Sequence, residues 1–268
     1  MYTLNQSRRV RGSAGEPLPI VWEALAEKGA IYRRGQLVLI CAGPGTGKSG
    51  FILNYILEAC IPTLYFSADS DAFTQVTRAI SKISGITLEE SAVQFLRDEV
   101  SSKTWDALNK IPLRMVYEAS PDLDTIEVHM QAYEEVYGDY PSAVIVDNIT
   151  NVHTDSETSD ASSGLEGLMD YLHTMGRNTE ACVFCLHHVQ GPYNDADKPI
   201  PLSGIKNQIG RVPEMVQTLH KKRNDYGPDT LCVSTVKNRG GRVDPSGEDF
   251  AELEFTGETM QIRDFATR

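Results

Sequence analysis

"LVLICAGPGTGKSGFILNYILEAC", residues 37–60, decides how this chain is to be read. An apolar run leads into glycines, a lysine and a serine, and then into a stretch with helical character. Residues 42–49 match the pattern G-x-x-x-x-G-K-[ST] at Gly47, Lys48 and Ser49, with Ala42 in place of the first glycine. A loop of this kind, between a strand and a helix, holds phosphate on its backbone N–H groups. Gly43, Gly45 and Gly47, with Pro44 and Thr46 between them, let the backbone wrap around phosphate oxygens. Lys48 is placed to neutralise β/γ charge, and Ser49 to hold Mg²⁺. Gly50 continues into a helix whose positive end faces the phosphates.

Outward from that loop, apolar runs alternate with helical stretches. Strands are expected at TLYFSA (63–68), LRMVYE (113–118), AVIVDN (143–148) and ACVFCLHH (181–188). Helices are expected from Lys48 to about Ala59, from about Asp71, across 87–110, from Asp122, and over LEGLMDYLHTMGRN (165–178). Pro121 and Asp122 are good helix-start residues. This alternation reads as an α/β fold, a mostly parallel twisted sheet with helices on both faces. From about 214 the pattern changes: EMVQTLHKK, TLCVSTVKN and DFAELEF lie close together with turn residues between them, an antiparallel C-terminal extension. Residues 1–34 read as an N-terminal arm and linker with one short helix, and 35–268 as the main domain.

Composition bounds the rest. The chain has 268 residues, 41% hydrophobic and 23% charged, ordinary values for a soluble globular protein. No apolar run approaches the roughly 18 residues of a membrane helix, and the first residues lack a signal-peptide core. A cytoplasmic protein is expected, in a bacterium or a phage-infected host. Five cysteines are too few and too scattered for a disulfide framework. Cys182 and Cys185 read as two small core residues on opposite faces of one strand. The net charge of −12 excludes a generally basic surface, so any nucleic acid must be met by a local basic site. The RRVR run at 8–11 reads as a solvated arm, and DSETSDASSG (155–164) as an acidic loop.

Hydrolysis of a nucleotide needs an acidic residue near Mg²⁺ at a strand end, and Asp147 closing AVIVD supplies it. Residue 148 is Asn, so the carboxylate that orients the attacking water must come from another strand. Asp69 is the candidate and Asp71 the near alternative; either could instead cap a helix. His187, ending a buried strand, reads either as a sensor of the γ-phosphate or as a histidine hydrogen-bonded in a loop. In TVKNRGGR (235–242), Lys237, Arg239 and Arg242 make either a solvated basic turn or an arginine finger that reaches nucleotide on a neighbouring subunit.

Together these segments resemble the RecA-type core ATPases, and most closely the motor domain of DnaB-like replicative helicases, from about residue 18 to 265. GQLVLICAGPGTGKSGFILNYI is similar to the family's phosphate loop, and AVIVDN to its Mg²⁺-binding strand. TLYFSADSDAFTQVTRAI is similar to the segment that carries its catalytic glutamate, and Asp69, one methylene shorter, stands at that position. VFCLHHV sits where the family has its polar sensor, with His187 as the match. VSTVKNRGGRVDPSGEDFAELEF resembles the closing segment, whose lysine and arginine, here Lys237 and Arg239, act across a subunit interface. The resemblance implies ATP with Mg²⁺, a ring (often a hexamer) or a filament, and single-stranded DNA in a central channel. Two loops would reach that DNA. The one at 151–164 is acidic here; the one at 189–212 carries Lys198, Lys206 and Arg211, opposed by Asp195 and Asp197. Repeated around a ring, a few basic residues per subunit give a basic channel inside an acidic particle. The short segment before the phosphate loop implies a stand-alone core, as in small phage or recombination ATPases. The functions in view are a helicase or translocase core, a recombination or repair ATPase without unwinding, a nuclease on an ATPase-like scaffold, and an oligomeric ATPase switch that binds no DNA.

Overall fold

The computed structural model describes residues 3–7, 12–153 and 161–266. The basic run at 8–11 and most of the acidic 155–164 loop lie outside the described residues. Among the described residues nine strands form one sheet: β1 (Leu37–Ala42), β2 (Thr63–Ser67), β3 (Leu113–Val116), β4 (Ala143–Asp147), β5 (Cys182–His188), β6 (Met215–Lys222), β7 (Asp229–Asn238), β8 (Phe250–Thr256) and β9 (Gln261–Asp264). Their order across the sheet is β3-β2-β4-β5-β1-β6-β7-β8-β9. β3 through β6 in that order run parallel, and β7, β8 and β9 extend the sheet antiparallel. The expected α/β architecture is therefore present. Of the three strands expected in the C-terminal extension, β6 instead lies parallel to β1, and β7 and β8 are joined by β9, which sequence reading passed over. β9 is only four residues long, with Ile262 its one buried side chain, too short to show an alternation.

Helices α1 (Leu4–Ser7) and α2 (Glu23–Glu27) precede β1; α3 (Lys48–Ala59), α4 (Ala72–Ser84), α5 (Leu88–Leu96), α6 (Ser102–Asn109), α7 (Leu123–Tyr137) and α8 (Ala161–Thr179) follow it. The polar stretch 87–110 is two helices. A capping box between Thr87 and Glu90 starts α5, Asp98 at φ 56° ends the run, and Ser101 caps α6. Asp122 caps α7 by accepting from the Thr125 backbone at 2.7 Å.

Central strands buried on both faces split the core in two. One face packs Val38, Ile40, Cys182, Phe184 and Leu186 against Phe51, Ile52 and Tyr55 of α3. The other packs Leu39, Val146, Val183 and Cys185 against Ile126 and Met130 of α7 and Leu168 and Leu172 of α8. Cys182 and Cys185 thus face opposite sides, as strand geometry requires. The boundary expected at residue 34/35 falls inside packed structure. Leu18, Trp22, Leu25 and Tyr32 belong to the α3-side core, and the Trp22 ring stacks on Phe51 at 4.8 Å. Trp22 Nε1 also donates to the Ile262 carbonyl at 3.2 Å, so the N-terminal segment clamps β9 to α3.

His220 of β6 is 1% exposed, and neither ring nitrogen has a partner among the described residues. Its ring meets Phe250 edge-on at 4.9 Å. Burial pushes its pKa down from 6.5 to about 4, Lys222 adds to this, and Glu252 and Asp197 oppose it. The folded state therefore takes up this proton later than the unfolded chain does. Stability should be full above about pH 6.5 and fall as the pH drops from there toward 4, by on the order of 1 kcal/mol per pH unit from this group. Replacing His220→Leu should flatten that acid slope; urea melts between pH 7 and 5 would show it.

Candidate nucleotide site

β1 delivers the chain to the glycine loop at the C-terminal end of the parallel strands, where ligands bind in open α/β sheets. Gly45 and Gly47 take φ of 72° and 106°, a region that favours glycine. Gly43 is required for a different reason: a Cβ there would lie 2.0 Å from the Asn194 carbonyl oxygen. The Thr46 hydroxyl donates to the Gly43 carbonyl at 2.9 Å and tightens the turn, while Pro44 is exposed on its outer side. α3 begins at Lys48, so its first N–H groups face the space above the loop.

Lys48 is 8% exposed. Its ammonium lies 3.3 Å from the Ala42 carbonyl and 3.4 Å from Nδ1 of His188. Burial lowers its pKa, and the charges of Asp147 and Asp69 work against that. Asp147 is 1% exposed. Burial raises its pKa, while hydrogen bonds from Ser49 and Tyr65 hold it down. Tyr65 donates to Oδ2 at 2.8 Å. β2 and β4 are in register at Ser67 and Asp147, and the backbone N–H groups of Ala68 and Asp69 both donate to the Asp147 carbonyl, at 2.8 and 3.1 Å. That stitch sets the exposed Asp69 at the mouth of the site, near enough for its charge to act on Lys48, Asp147 and His188. Asp71 instead caps α4, accepting from the Thr74 backbone at 2.8 Å.

The histidine reading needs a correction. His187 and His188 are adjacent on β5 and point to opposite faces. His187 is fully buried with Nε2 3.0 Å from the Lys206 carbonyl, away from the glycine loop, and burial takes its pKa to about 4. His188 is the imidazole beside Lys48, and its Nε2 lies 2.6 Å from Asn148 Nδ2. Strand parity carried the signal. Leu186 and Phe184 pack toward α3, so His188 must also do so, and it stands opposite Ala42 in the β1–β5 register.

These groups suit a nucleoside triphosphate with Mg²⁺. A buried ammonium with one carbonyl acceptor and a neutral ring beside it is matched by phosphate oxygens. Ser49 Oγ and the Asp147 carboxylate are hard oxygen donors side by side. Among the described residues no group of three or more His, Cys, Asp or Glu gathers as a metal cage, and Mg²⁺ is usually shared between one or two protein oxygens and phosphate.

The remaining expected residues are not at this site. β7 runs antiparallel to β6, and Asn238 pairs with Met215 at the start of that strand. Lys237 and Arg239 therefore lie at the opposite end of the sheet, roughly 20 Å or one strand length away. Lys237 donates to the Gly210 and Arg211 carbonyls at 2.8 and 2.5 Å; the exposed Arg239 also reaches the Arg211 carbonyl, at 3.3 Å. Lys198, Lys206 and Arg211 do not form one patch. The Lys198 ammonium sits 5.5 Å over the Tyr193 ring, Lys206 is exposed at the His187 end, and Arg211 pairs with Glu166 of α8 at 3.6 Å. Sequence reading missed Lys221, which reaches the Gly45 carbonyl at 3.4 Å.

The model of the DnaB-like helicase C terminal domain matches residues 21–264, nearly the whole chain. The chain belongs to that family. A 62% identical relative over 266 residues, covering 99% of both chains, is the Gene 65 protein of Mycobacterium phage L5. A probable plasmid replicative DNA helicase of Chlamydia psittaci is 24% identical over 239 residues, 84% of this chain but 52% of that protein. Among solved structures, a DnaB-like replicative helicase characterised with its primase interactions superposes with a TM-score of 0.76 at 16% identity, over 93% of this chain and 62% of that one. The chain thus spans the full length of the phage relative and about half of the chlamydial one. It is a P-loop ATPase with the RecA-like fold, and among the described residues no helix is long and apolar enough to cross a membrane.

Tyr65→Phe removes one hydroxyl and leaves the ring packing. Asp147 then loses a hydrogen bond worth about 1–3 kcal/mol in a buried setting. The Mg²⁺ concentration for half-maximal ATP hydrolysis should rise several-fold, with an unchanged circular dichroism spectrum.

Proposed function

We propose that this chain is the ATP-driven core of a replicative helicase or translocase that acts on single-stranded DNA, with each nucleotide site completed by a second copy in a ring, expected to be a hexamer. The observation that carries this is a separation within one chain. The glycine loop, Lys48, Ser49, Asp147, Asp69 and His188 sit at one end of the sheet, and Lys237 and Arg239 at the other. One chain holds both halves of an interface and cannot bring them together.

In this reading Lys48 binds the β/γ-phosphates, Ser49 and Asp147 hold Mg²⁺, which neutralises charge on the phosphates, and Asp69 orients the attacking water. His188 takes the sensing role first given to His187. Arg239, with Lys237 pinned beside it, supplies positive charge to the neighbour's site. DNA contact falls to the 189–212 segment, through Lys198, Lys206 and Arg211, each repeated around the ring. The phage relative supports a setting in the cytoplasm of an infected host. A second reading, an oligomeric ATPase switch that binds no DNA, is favoured by the net charge of −12 and by the Arg211–Glu166 pair.

ATP hydrolysis measured with and without single-stranded DNA, and strand separation on a forked duplex, separate the two. Stimulated hydrolysis with unwinding is expected; turnover indifferent to DNA, with no DNA binding at low salt, favours the switch. Lys48→Ala should abolish hydrolysis. Arg239→Ala should lower turnover by about 10³-fold if it acts as a finger. Mixing these two inactive variants should restore some activity, because interfaces then form between an intact loop and an intact finger. No recovery in demonstrably mixed assemblies would remove Arg239 from the mechanism.

A further inference from the structure

Asn148 follows Asp147 and is 2% exposed. Its side chain has two partners. Oδ1 accepts from the Thr150 backbone N–H at 3.3 Å and caps the 3-10 turn Ile149–Asn151, which opens the segment after β4. Nδ2 faces His188 Nε2 at 2.6 Å. An amide nitrogen only donates, so Nε2 must be the acceptor, and a neutral imidazole with Nε2 accepting carries its proton on Nδ1. Turning the amide over would set Nδ2 against the Thr150 N–H, donor against donor, and uncap the turn. Nδ1 is the atom 3.4 Å from the Lys48 ammonium. Two donors, one neutral and one cationic, therefore converge at the glycine loop. An anionic oxygen satisfies both.

We propose that Asn148 is a positioning residue: it fixes His188 as the Nδ1–H tautomer, so that the ring donates to the terminal phosphate of a nucleoside triphosphate alongside Lys48. A diphosphate offers no oxygen at that place, so the tautomer also contributes to telling triphosphate from diphosphate. The phosphate contact and the discrimination both rest on the ATP-binding reading of the site; the Nδ1–H tautomer set by Asn148 does not.

The test has two arms. Long-range ¹H–¹⁵N correlation spectra of the nucleotide-free protein assign the tautomer of each histidine, and His188→Gln identifies the His188 signals by their loss. Nδ1–H is expected in the unmodified protein, with a shift toward Nε2–H in Asn148→Ala, where Nδ1 is released to accept from Lys48. Nε2–H in the unmodified protein overturns the proposal and needs no variant to fold. In the second arm, affinities for a non-hydrolysable ATP analogue and for ADP are compared by fluorescence titration. Asn148→Ala should lower the ATP-over-ADP preference by about tenfold, the loss expected for one hydrogen bond to a charged group, with ADP affinity retained. An unchanged preference in a variant that still binds ADP overturns the positioning role. Failure of the unmodified protein to bind either nucleotide would sink the ATP reading and leave the tautomer result to be judged alone.

Discussion

A lysine ammonium lies almost wholly out of water beneath the glycine loop, and the rest of the site is arranged around that fact. Burying a charge costs several kcal/mol unless other groups offset it. At Lys48 the offsets come from separate segments: the Ala42 carbonyl from β1, the Asp147 carboxylate from β4 and the Asp69 charge from the turn after β2. None is near another in sequence. They meet because parallel strands in fixed register end at one level, with Ala42 opposite His188 and Ser67 opposite Asp147. A one-residue slip of β5 would carry His187 to the loop and bury His188 on the far side, so register decides the chemistry as much as residue identity does.

The same dependence on register explains what sequence could and could not tell. The strands, α3 and the glycine loop were legible because each carries its signal locally, in an apolar run or a turn residue. Asp147 was legible too, as the first polar residue after four buried ones. The choice between Asp69 and Asp71 was open because both sit in one acidic turn. Two hydrogen bonds place them apart, one stitching the Asp69 backbone to β4 and one tying Asp71 to α4. The choice between His187 and His188 turns on which face of β5 meets α3. Strand parity within the chain could have settled it by counting back to Phe184. Tyr65, Asn148 and Lys221 were out of reach, since their roles exist only across strand pairs.

The basic residues show a similar limit. Sequence proximity put Lys198, Lys206 and Arg211 together, yet the segment carrying them runs from the glycine-loop end of the sheet to the other. Arg211 finishes beside Lys237 and pairs with Glu166; elsewhere Lys222 pairs with Glu252 and Lys28 with Asp249. In an acidic protein many cations are already engaged with carboxylates. Exposed pairs of this kind are worth little and exchange readily, so they leave those cations available to stronger anions.

The placement of Arg239 and the glycine loop at opposite ends of one rigid sheet has a geometric consequence for assembly. A contact that joins the two is heterologous: the donor surface on one copy differs from the acceptor surface on the next. It cannot be closed by a two-fold axis, and each copy added leaves a fresh donor at one end and a fresh acceptor at the other. Such a chain of contacts ends only by closing on itself through a rotation axis, or not at all.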